Sequence, residues 1–360
     1  MKIAQVAPLF ESVPPRGYGG TERVVSYLTE ELVRQGHEVT LYAAGDSVTE
    51  ARLVSPVEKS IRPALGDISW MAYHAMQLDM LCRDAPRFDI LHFHTDITHL
   101  PLARMLDVPH VTTLHGRLDL PFLAPLYGHF ADTPLVSISE AQRKPLPEAR
   151  WMATVHHGLP DDLFSFSPEA DDYFAFVGRI SREKRLDRAI EIAERSGVPI
   201  RIGAKIDDAD RLFFEDEIAP LFSKPCVTYL GEVSQEEKRK LLERARALLL
   251  PIDWPEPFGL VMIEALSCGT PVIAYRNGSV EEIIDDGVTG FIVDNQEQAV
   301  EAALRIDSID RHACRRAFED RFTADRMARD YLRVYELCIR AFDEVSSMAV
   351  RAVTAKRTIA

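Results

Sequence analysis

The chain is short of everything that would tie it to a membrane, an oxidising compartment or a nucleic acid. None of its 360 residues fall in an eighteen-residue apolar run, so no membrane-spanning helix is expected. The five cysteines (Cys82, Cys226, Cys268, Cys314, Cys338) are odd in number, widely spaced and without a C-x-x-C. They define neither a disulfide framework nor a zinc site, and read as reduced, buried thiols in a cytoplasmic protein. The opening run Met1 to Pro8 is too short for a signal-peptide core. Basic residues are outnumbered 42 to 56, giving a formal charge of −14. Residues 1–165 carry 14 Lys+Arg against 20 Asp+Glu, and residues 166–360 carry 28 against 36, so neither half is a basic module. Binding that works by neutralising phosphates needs clustered Lys and Arg, and no nucleic-acid partner is expected. No G-x-S-x-G elbow and no Cys-His arrangement of known spacing supports a nucleophilic hydrolase.

What is present is a soluble, two-domain length with short apolar runs alternating with helical patterns, the mark of parallel-sheet α/β architecture. Strands are predicted at 3–7, 39–43, 90–93, 111–114 and 135–138, and then at 174–177, 200–202, 227–230, 247–250, 272–274 and 291–293. Helices are predicted at 21–35, ahead of Gly36, and at 186–195, 235–247 and 296–306. The Pro-, Gly- and Asp-rich stretch 158–172 breaks the rhythm. It divides the chain into an N-terminal Rossmann-like domain, 1–165, and a C-terminal one, 166–325, with room for a cleft between them. A helix over 326–345 is expected to brace the domains, its stripe being Met327, Tyr331, Val334, Leu337, Cys338 and Phe342. Residues 346–360 read as a flexible, weakly basic tail, with a peripheral membrane contact as the lesser alternative.

Three segments carry candidate chemistry. In Trp254-Pro255-Glu256-Pro257-Phe258-Gly259-Leu260, two prolines hold Glu256 extended just before a helix start, whose N–H groups at Phe258, Gly259 and Leu260 form an anion site. Glu264 lies within that helix. Two carboxylates flanking a diphosphate would suit the two polyhydroxylated rings of a nucleotide sugar; the alternative is that Glu256 is a turn residue and Glu264 a solvated helix residue. In Gly178-Arg179-x4-Lys184, directly after a strand, Arg179 and Lys184 are placed where diphosphate charge would be neutralised, while Arg182 and Arg185 read as a solvated helix start. In Gly17-Tyr18-Gly19-Gly20-Thr21-Glu22, the glycines allow backbone N–H groups at Gly19 and Gly20 to approach a phosphate, although the loop does not match a dinucleotide fingerprint. His115, at a strand end before Gly116, is a fourth candidate. His92, His94 and His99 invite a metal reading, but strand alternation and the lack of a carboxylate or Cys to complete a ligand set argue against it, and His156 and His157 read as structural.

Taken together, these residues resemble glycosyltransferase family 4, the retaining enzymes of GT-B architecture. The resemblance is carried by Gly19-Gly20-Thr21-Glu22, His115-Gly116, Ser137-Ile138-Ser139, His157-Gly158, Gly178-Arg179-x4-Lys184, Glu256-x7-Glu264, Cys268-Gly269-Thr270-Pro271-Val272-Ile273-Ala274, and Glu282 before Asp286-Gly287. It implies two Rossmann-like domains facing a central cleft and transfer of a hexose from a nucleotide sugar, UDP-hexose first and GDP-mannose second, to a glycan, lipid or small-molecule hydroxyl. In that frame Arg179 and Lys184 bind the donor diphosphate, Glu264 the ribose and Glu256 the sugar hydroxyls. Gly19 and Gly20 meet the phosphates, His115 the sugar near the leaving group, and the backbone at Glu232 and Val233 the base. No metal or other cofactor is implied, in keeping with a chain in which no D-x-D metal site is read. An epimerase or phosphorylase on the same plan, or a non-catalytic nucleotide-sugar sensor, are the alternatives.

Overall fold

The computed structural model describes residues 1–17, 19–62 and 69–358. Tyr18, at the end of the Pro-rich loop, lies outside them. The chain forms two compact units, one of Met1–Ile138, Arg143–His156 and Ala324–Ala360, the other of Ser139–Gln142 and His157–Thr323. The first holds seven strands: β1 (Lys2–Val6), β2 (Glu38–Tyr42), β3 (Arg52–Val54), β4 (Ile90–Phe93), β5 (His110–Thr113), β6 (Leu135–Ser137) and β7 (Trp151–Thr154). They are all parallel, in the order β3-β2-β1-β4-β5-β6-β7. The second holds β8 (Phe174–Arg179), β9 (Ile200–Lys205), β10 (Val227–Gly231), β11 (Ala247–Leu250), β12 (Val272–Tyr275) and β13 (Gly290–Val293). These too are parallel, ordered β10-β9-β8-β11-β12-β13.

Central strands of such sheets are covered on both faces, which is why they read as unbroken apolar runs: Ile3, Ala4 and Val6, or Ala247, Leu248 and Leu249, are wholly buried. The two strands missed in the sequence, β3 and β7, are the edges of the first sheet. Both are half-exposed, so no apolar run announces them. In the second sheet the helix expected at 235–247 stops at Glu243, leaving Ala247 to open β11. Helices at Ser69–Asp84 and Arg311–Arg321 were also not anticipated. The first buries only His74, Gln77 and Leu81, and the second only Cys314 and Phe318, too few to show a stripe.

The C-terminal helix runs Ala324–Thr358 and belongs to the first unit. It continues through residues expected as a tail, because 346–358 contains neither proline nor glycine to stop it; Ile359 and Ala360 lie outside the described residues. Its buried stripe is Met327, Tyr331, Val334, Tyr335 and Cys338, whereas Leu337 is exposed. Tyr331 and Tyr335 reach the histidine-bearing face of β4. His92 Nδ1 lies 2.7 Å from the Tyr335 hydroxyl and Nε2 lies 2.7 Å from Thr113 Oγ1. His99 stacks on Phe93 at 4.1 Å and bonds Thr95 and Thr112.

Burial holds both rings neutral, His99 down to about 3 and His92 well below its ordinary value. A ring whose folded pKa is depressed contributes stability that is complete above its unfolded pKa of about 6.5 and is lost as pH falls below it, by about 1.4 kcal/mol per pH unit per ring. Urea unfolding is therefore expected to show the first unit weakening between pH 7 and pH 5, and a His99→Gln variant to have a shallower dependence. Parallel pH profiles for the two proteins would contradict this.

Candidate functional site

In each sheet the strand order reverses once, between β1 and β4 and between β8 and β11, and the crevice beyond the strand carboxyl ends at such a reversal is where open α/β sheets bind ligands. In the second unit two loops leave that point. The segment after β8 makes a tight turn at Arg182–Lys184, and the segment after β11 passes through Pro255 and Pro257 with neither helix nor strand. The Asp253 N–H donates to the Glu183 carbonyl at 2.8 Å. Arg185, in a left-handed conformation at φ 52°, and Arg188 both reach the Asp253 carboxylate. This stitching brings Lys184 against Glu256 in a close ion pair, with side chains 18% and 11% exposed. The Trp254 indole N–H donates to the same carboxylate oxygen at 3.2 Å, and its ring lies 5.0 Å from the Lys184 ammonium. Arg185 is thus a structural clamp rather than a solvated residue.

Arg179, at the end of β8, is ringed by carboxylates: Glu183 at 2.6 Å, Asp210 at 3.4 Å and Asp207 at 3.7 Å. Burial would raise the Glu183 carboxyl, but its own backbone N–H, Ser181 and Arg179 together hold it below the usual range. Burial raises that of Asp210, which Arg179 only partly offsets. Asp208-Ala209-Asp210 does have D-x-D spacing, contrary to the reading of the sequence. Asp210 faces Arg179 and Asp208 bonds Arg211 at 2.8 Å. Among the described residues no group of three His, Cys, Asp or Glu is placed to hold a metal.

The helix after the second loop, Leu260–Ser267, starts at Gly259 (φ 77°) without a side-chain cap. The helices at Gln235–Glu243, Gln296–Leu304 and Arg311–Arg321 are capped by Ser234, Asn295 and Asp310. The Leu260–Ser267 start therefore leaves N–H groups and the positive helix end open to an anion. Phe258 turns its side chain inward, 2% exposed and edge-on to His157 at 4.8 Å, so only its backbone faces the loop. Glu264 is buried, not solvated, and is ion-paired with Lys238 from the Gln235–Glu243 helix. Lys238 was not anticipated. Glu232 and Val233 follow Gly231 (φ 79°) at the end of β10. Val233 packs where a side chain on Gly203 would stand, at 2.9 Å.

The structure also explains motifs that do no site chemistry. Cys268 is a buried thiol pushed up to about 12, at the helix end where Gly269 turns at φ 80° against Phe166. Thr270 donates to the Leu242 carbonyl. The Glu282 carboxylate accepts from the N–H groups of Glu140 and Ala141 at 2.7 and 2.8 Å, holding that short segment in the second unit.

In the first unit, Gly19 precedes the helix Gly20–Arg34, which likewise has no side-chain cap. A side chain at Gly19 would overlap Pro15 at 2.8 Å, so the proline loop needs this glycine. Glu22, in the first turn, is buried, and burial raises its carboxyl. His115 follows β5, and its Nε2 lies 2.8 Å from His94 Nδ1. From there a buried series of bonds continues. His94 Nε2 is 2.7 Å from Gln5 Oε1, and Gln5 Nε2 donates to the Tyr335 hydroxyl at 2.9 Å. Tyr335 meets His92, His92 meets Thr113, and Thr113 meets the Tyr331 hydroxyl at 2.9 Å. His92, on β4, and His94, just beyond its end, lie on one face as residues two apart must, with ring centroids 4.0 Å apart, so strand alternation does not separate them; what occupies these rings is the network.

Two parallel Rossmann-like sheets with a long C-terminal helix, one bearing a cationic, carboxylate-lined strand-end site, define the class as GT-B. Residues 18–177 match the family model Glycosyltransferase Family 4 and residues 163–317 match Glycosyl transferases group 1. The chain belongs to the family 4 glycosyltransferases. It is 23% identical to "Uncharacterized glycosyltransferase MJ1607" of Methanocaldococcus jannaschii, over 94% of this chain and 99% of that protein. Its fold is similar to that of AviGT4, a glycosyltransferase involved in avilamycin A biosynthesis (TM-score 0.73, 22% identity, 94% of this chain and 98% of that one). It is similar also to Anabaena Alr3699/HepE in complex with UDP and glucose (TM-score 0.69, 16% identity, 93% and 99%).

Nothing in the residues around Glu256 hints at what holds it in place. Gly278 (φ 57°) lies directly against its backbone, and a Cβ there would overlap the Glu256 amide nitrogen and carbonyl oxygen. On either side Asn277 donates to the Ile252 carbonyl at 2.9 Å and Ser279 Oγ to that of Phe258 at 2.8 Å. Gly278→Ala is expected to lower stability by at least about 1–2 kcal/mol through the left-handed backbone alone and to displace the loop, changing Trp254 emission. An unchanged melting point and emission would refute this role for Gly278.

Proposed function

We propose that this family 4 enzyme is a retaining hexosyltransferase that uses a nucleoside diphosphate sugar and no metal, with UDP-hexose the first candidate and GDP-mannose the second. The observation that carries the reading is the Lys184–Glu256 pair beside the uncapped helix start at Gly259. A diphosphate at that helix end offers Lys184 a stronger anion than one carboxylate does. As Lys184 turns to the phosphates, Glu256 is released to accept hydrogen bonds from sugar hydroxyls. Donor binding and sugar positioning are coupled through one exchange of partners. Arg179 adds a second cation for the leaving group. Glu264, held by Lys238 through Oε1, keeps lone pairs for two ribose hydroxyls. The first unit supplies Gly19, Gly20 and His115, and the backbone at Glu232 and Val233 meets the base.

The chemistry proposed is a same-face substitution. The bond from the anomeric carbon to the phosphate oxygen breaks, the acceptor oxygen bonds to the same face, and the departing phosphate oxygen takes the acceptor's proton. Glu256 then acts as no nucleophile; it orients the sugar and stabilises positive charge on the ring. The acceptor is a hydroxyl of a glycan, lipid or small molecule. Five free cysteines fit a cytoplasmic setting, and no helix among the described residues is long and apolar enough to cross a membrane.

A thermal-shift screen of UDP-, GDP- and ADP-sugars is the direct test, since a donor at 100 times its Kd stabilises by about 2.7 kcal/mol. Lys184→Ala and Glu264→Ala are expected to weaken donor binding roughly ten- to a hundredfold, as loss of a charge-assisted contact does. Glu256→Ala should reduce turnover more than donor affinity. Normal sugar transfer by the triple variant would refute the site, and conversion of donor without acceptor, read by NMR, would refute the transferase reading.

A further inference from the structure

Three consecutive carbonyls in the loop ahead of the Leu260–Ser267 helix are each held by a hydrogen bond, and serines supply all three. The Glu256 carbonyl accepts from the Ser279 N–H at 3.0 Å, the Pro257 carbonyl from Ser139 Oγ at 2.6 Å and the Phe258 carbonyl from Ser279 Oγ at 2.8 Å. Both serines are wholly buried. A trans peptide is planar, its C=O and the N–H of the next residue pointing opposite ways. Anchoring the Phe258 oxygen therefore sets the direction of the Gly259 N–H, and anchoring the Pro257 oxygen fixes the peptide plane before it. The chain is thus made to enter the uncapped helix start at one angle. Ser139 is itself fixed. Its Oγ accepts from the Gln142 N–H at 3.0 Å, which leaves its one proton for Pro257. The two intervening N–H groups, of Glu140 and Ala141, go to the Glu282 carboxylate. Glu282 lies on the short helix Val280–Ile283, which begins directly after Ser279. One turn of chain thus carries both the serine that grips the loop and the carboxylate that grips the segment bearing Ser139.

We propose that Ser139 and Ser279 are positioning residues for the donor phosphates: their bonds to the Pro257 and Phe258 carbonyls aim the backbone N–H groups at Gly259 and Leu260 toward an anion at the helix start. Glu282 acts through Ser139. The hydrogen bonds are a property of the second unit alone; that the aimed N–H groups meet a diphosphate rests on the glycosyltransferase reading. Gly259, at φ 77° and without a Cβ, has little steric preference of its own to hold the turn, so the anchoring has to come from its neighbours. Amides set in advance need no reorganisation as negative charge moves onto the departing phosphate. The two serines and Glu282 touch the loop through its backbone, so the role does not depend on which base or sugar the donor carries.

The test is an NMR titration of the full-length protein with inorganic pyrophosphate, which carries the diphosphate without base or sugar. The Gly259 and Leu260 amide signals should move as the site fills. Absence of binding overturns the proposal, as does binding that leaves these two signals in place. Ser139→Ala and Ser279→Ala are each expected to weaken pyrophosphate about tenfold, the worth of a lost charge-assisted contact. In the ligand-free variants the displaced signals should be confined to 256–260 and to the neighbours of the substituted serine. Unchanged affinity overturns the role, and signals displaced throughout the second unit, or failure to fold, would assign the serines to stability instead. Ser139→Cys keeps a donor, though a weaker one, and should give an intermediate loss; wild-type affinity in that variant also counts against the proposal. Wild-type protein that binds pyrophosphate at these amides but neither UDP- nor GDP-sugars would sink the nucleotide-sugar reading and leave the serines' role standing.

Discussion

Parallel strands can be joined only by crossovers, and that constraint decides where everything else in this protein sits. In each unit the chain starts in the middle of its sheet, builds outward on one side and then returns to build on the other, which leaves one gap between neighbouring strand ends. β8 and β11 are neighbours whose connections lead to opposite sides of the sheet, β8 on to β9 and β11 on to β12, so their first loop residues flank one crevice. Lys184 comes from one loop and Glu256 from the other. Their meeting follows from strand order, and the Asp253-to-Glu183 backbone bond then fixes it.

An acidic protein that has to hold an anion cannot rely on its general field. Here the cations at the strand ends are few and each is already matched by the chain's own carboxylates: Lys184 by Glu256, Arg179 by Glu183, Asp207 and Asp210, and Lys238 by Glu264. Such pairing keeps half-buried charges from standing uncompensated, and under the proposed function it turns donor binding into a replacement of one partner by another. Two helices, one in each unit, start at a glycine. They have no side-chain caps, whereas the helices that start at Gln235, Gln296 and Arg311 do.

Much of the fold was legible because buried parallel strands are apolar throughout and their helices carry a stripe on one face. Eleven of the strands were read as short apolar runs, β10 among them although it is a largely exposed edge of the second sheet; β3 and β7, the edges of the first, carry no such buried run. The site was legible where a residue's own neighbours in sequence constrain it: prolines around Glu256, a glycine before Arg179. What could not be read are the residues that act across space. Asp207, Asp210 and Lys238 come from other elements, and Gly278 is needed only because the Glu256 backbone lies against it. The histidines misled for the same reason, since nothing local reveals that Gln5 and two tyrosines more than 200 residues away complete their hydrogen bonds. Conversely, the Cys268–Ala274 motif, prominent in sequence, serves packing and a helix stop.

The central claim is that a diphosphate replaces Glu256 as the partner of Lys184. Calorimetric titration with UDP and with UMP measures it most directly. UDP is expected to bind at least about tenfold more tightly than UMP, and the difference to disappear in Lys184→Gln, in line with the strength of one charge-assisted contact. Equal affinity for the two nucleotides in the wild-type protein, or a difference untouched by that substitution, would contradict it.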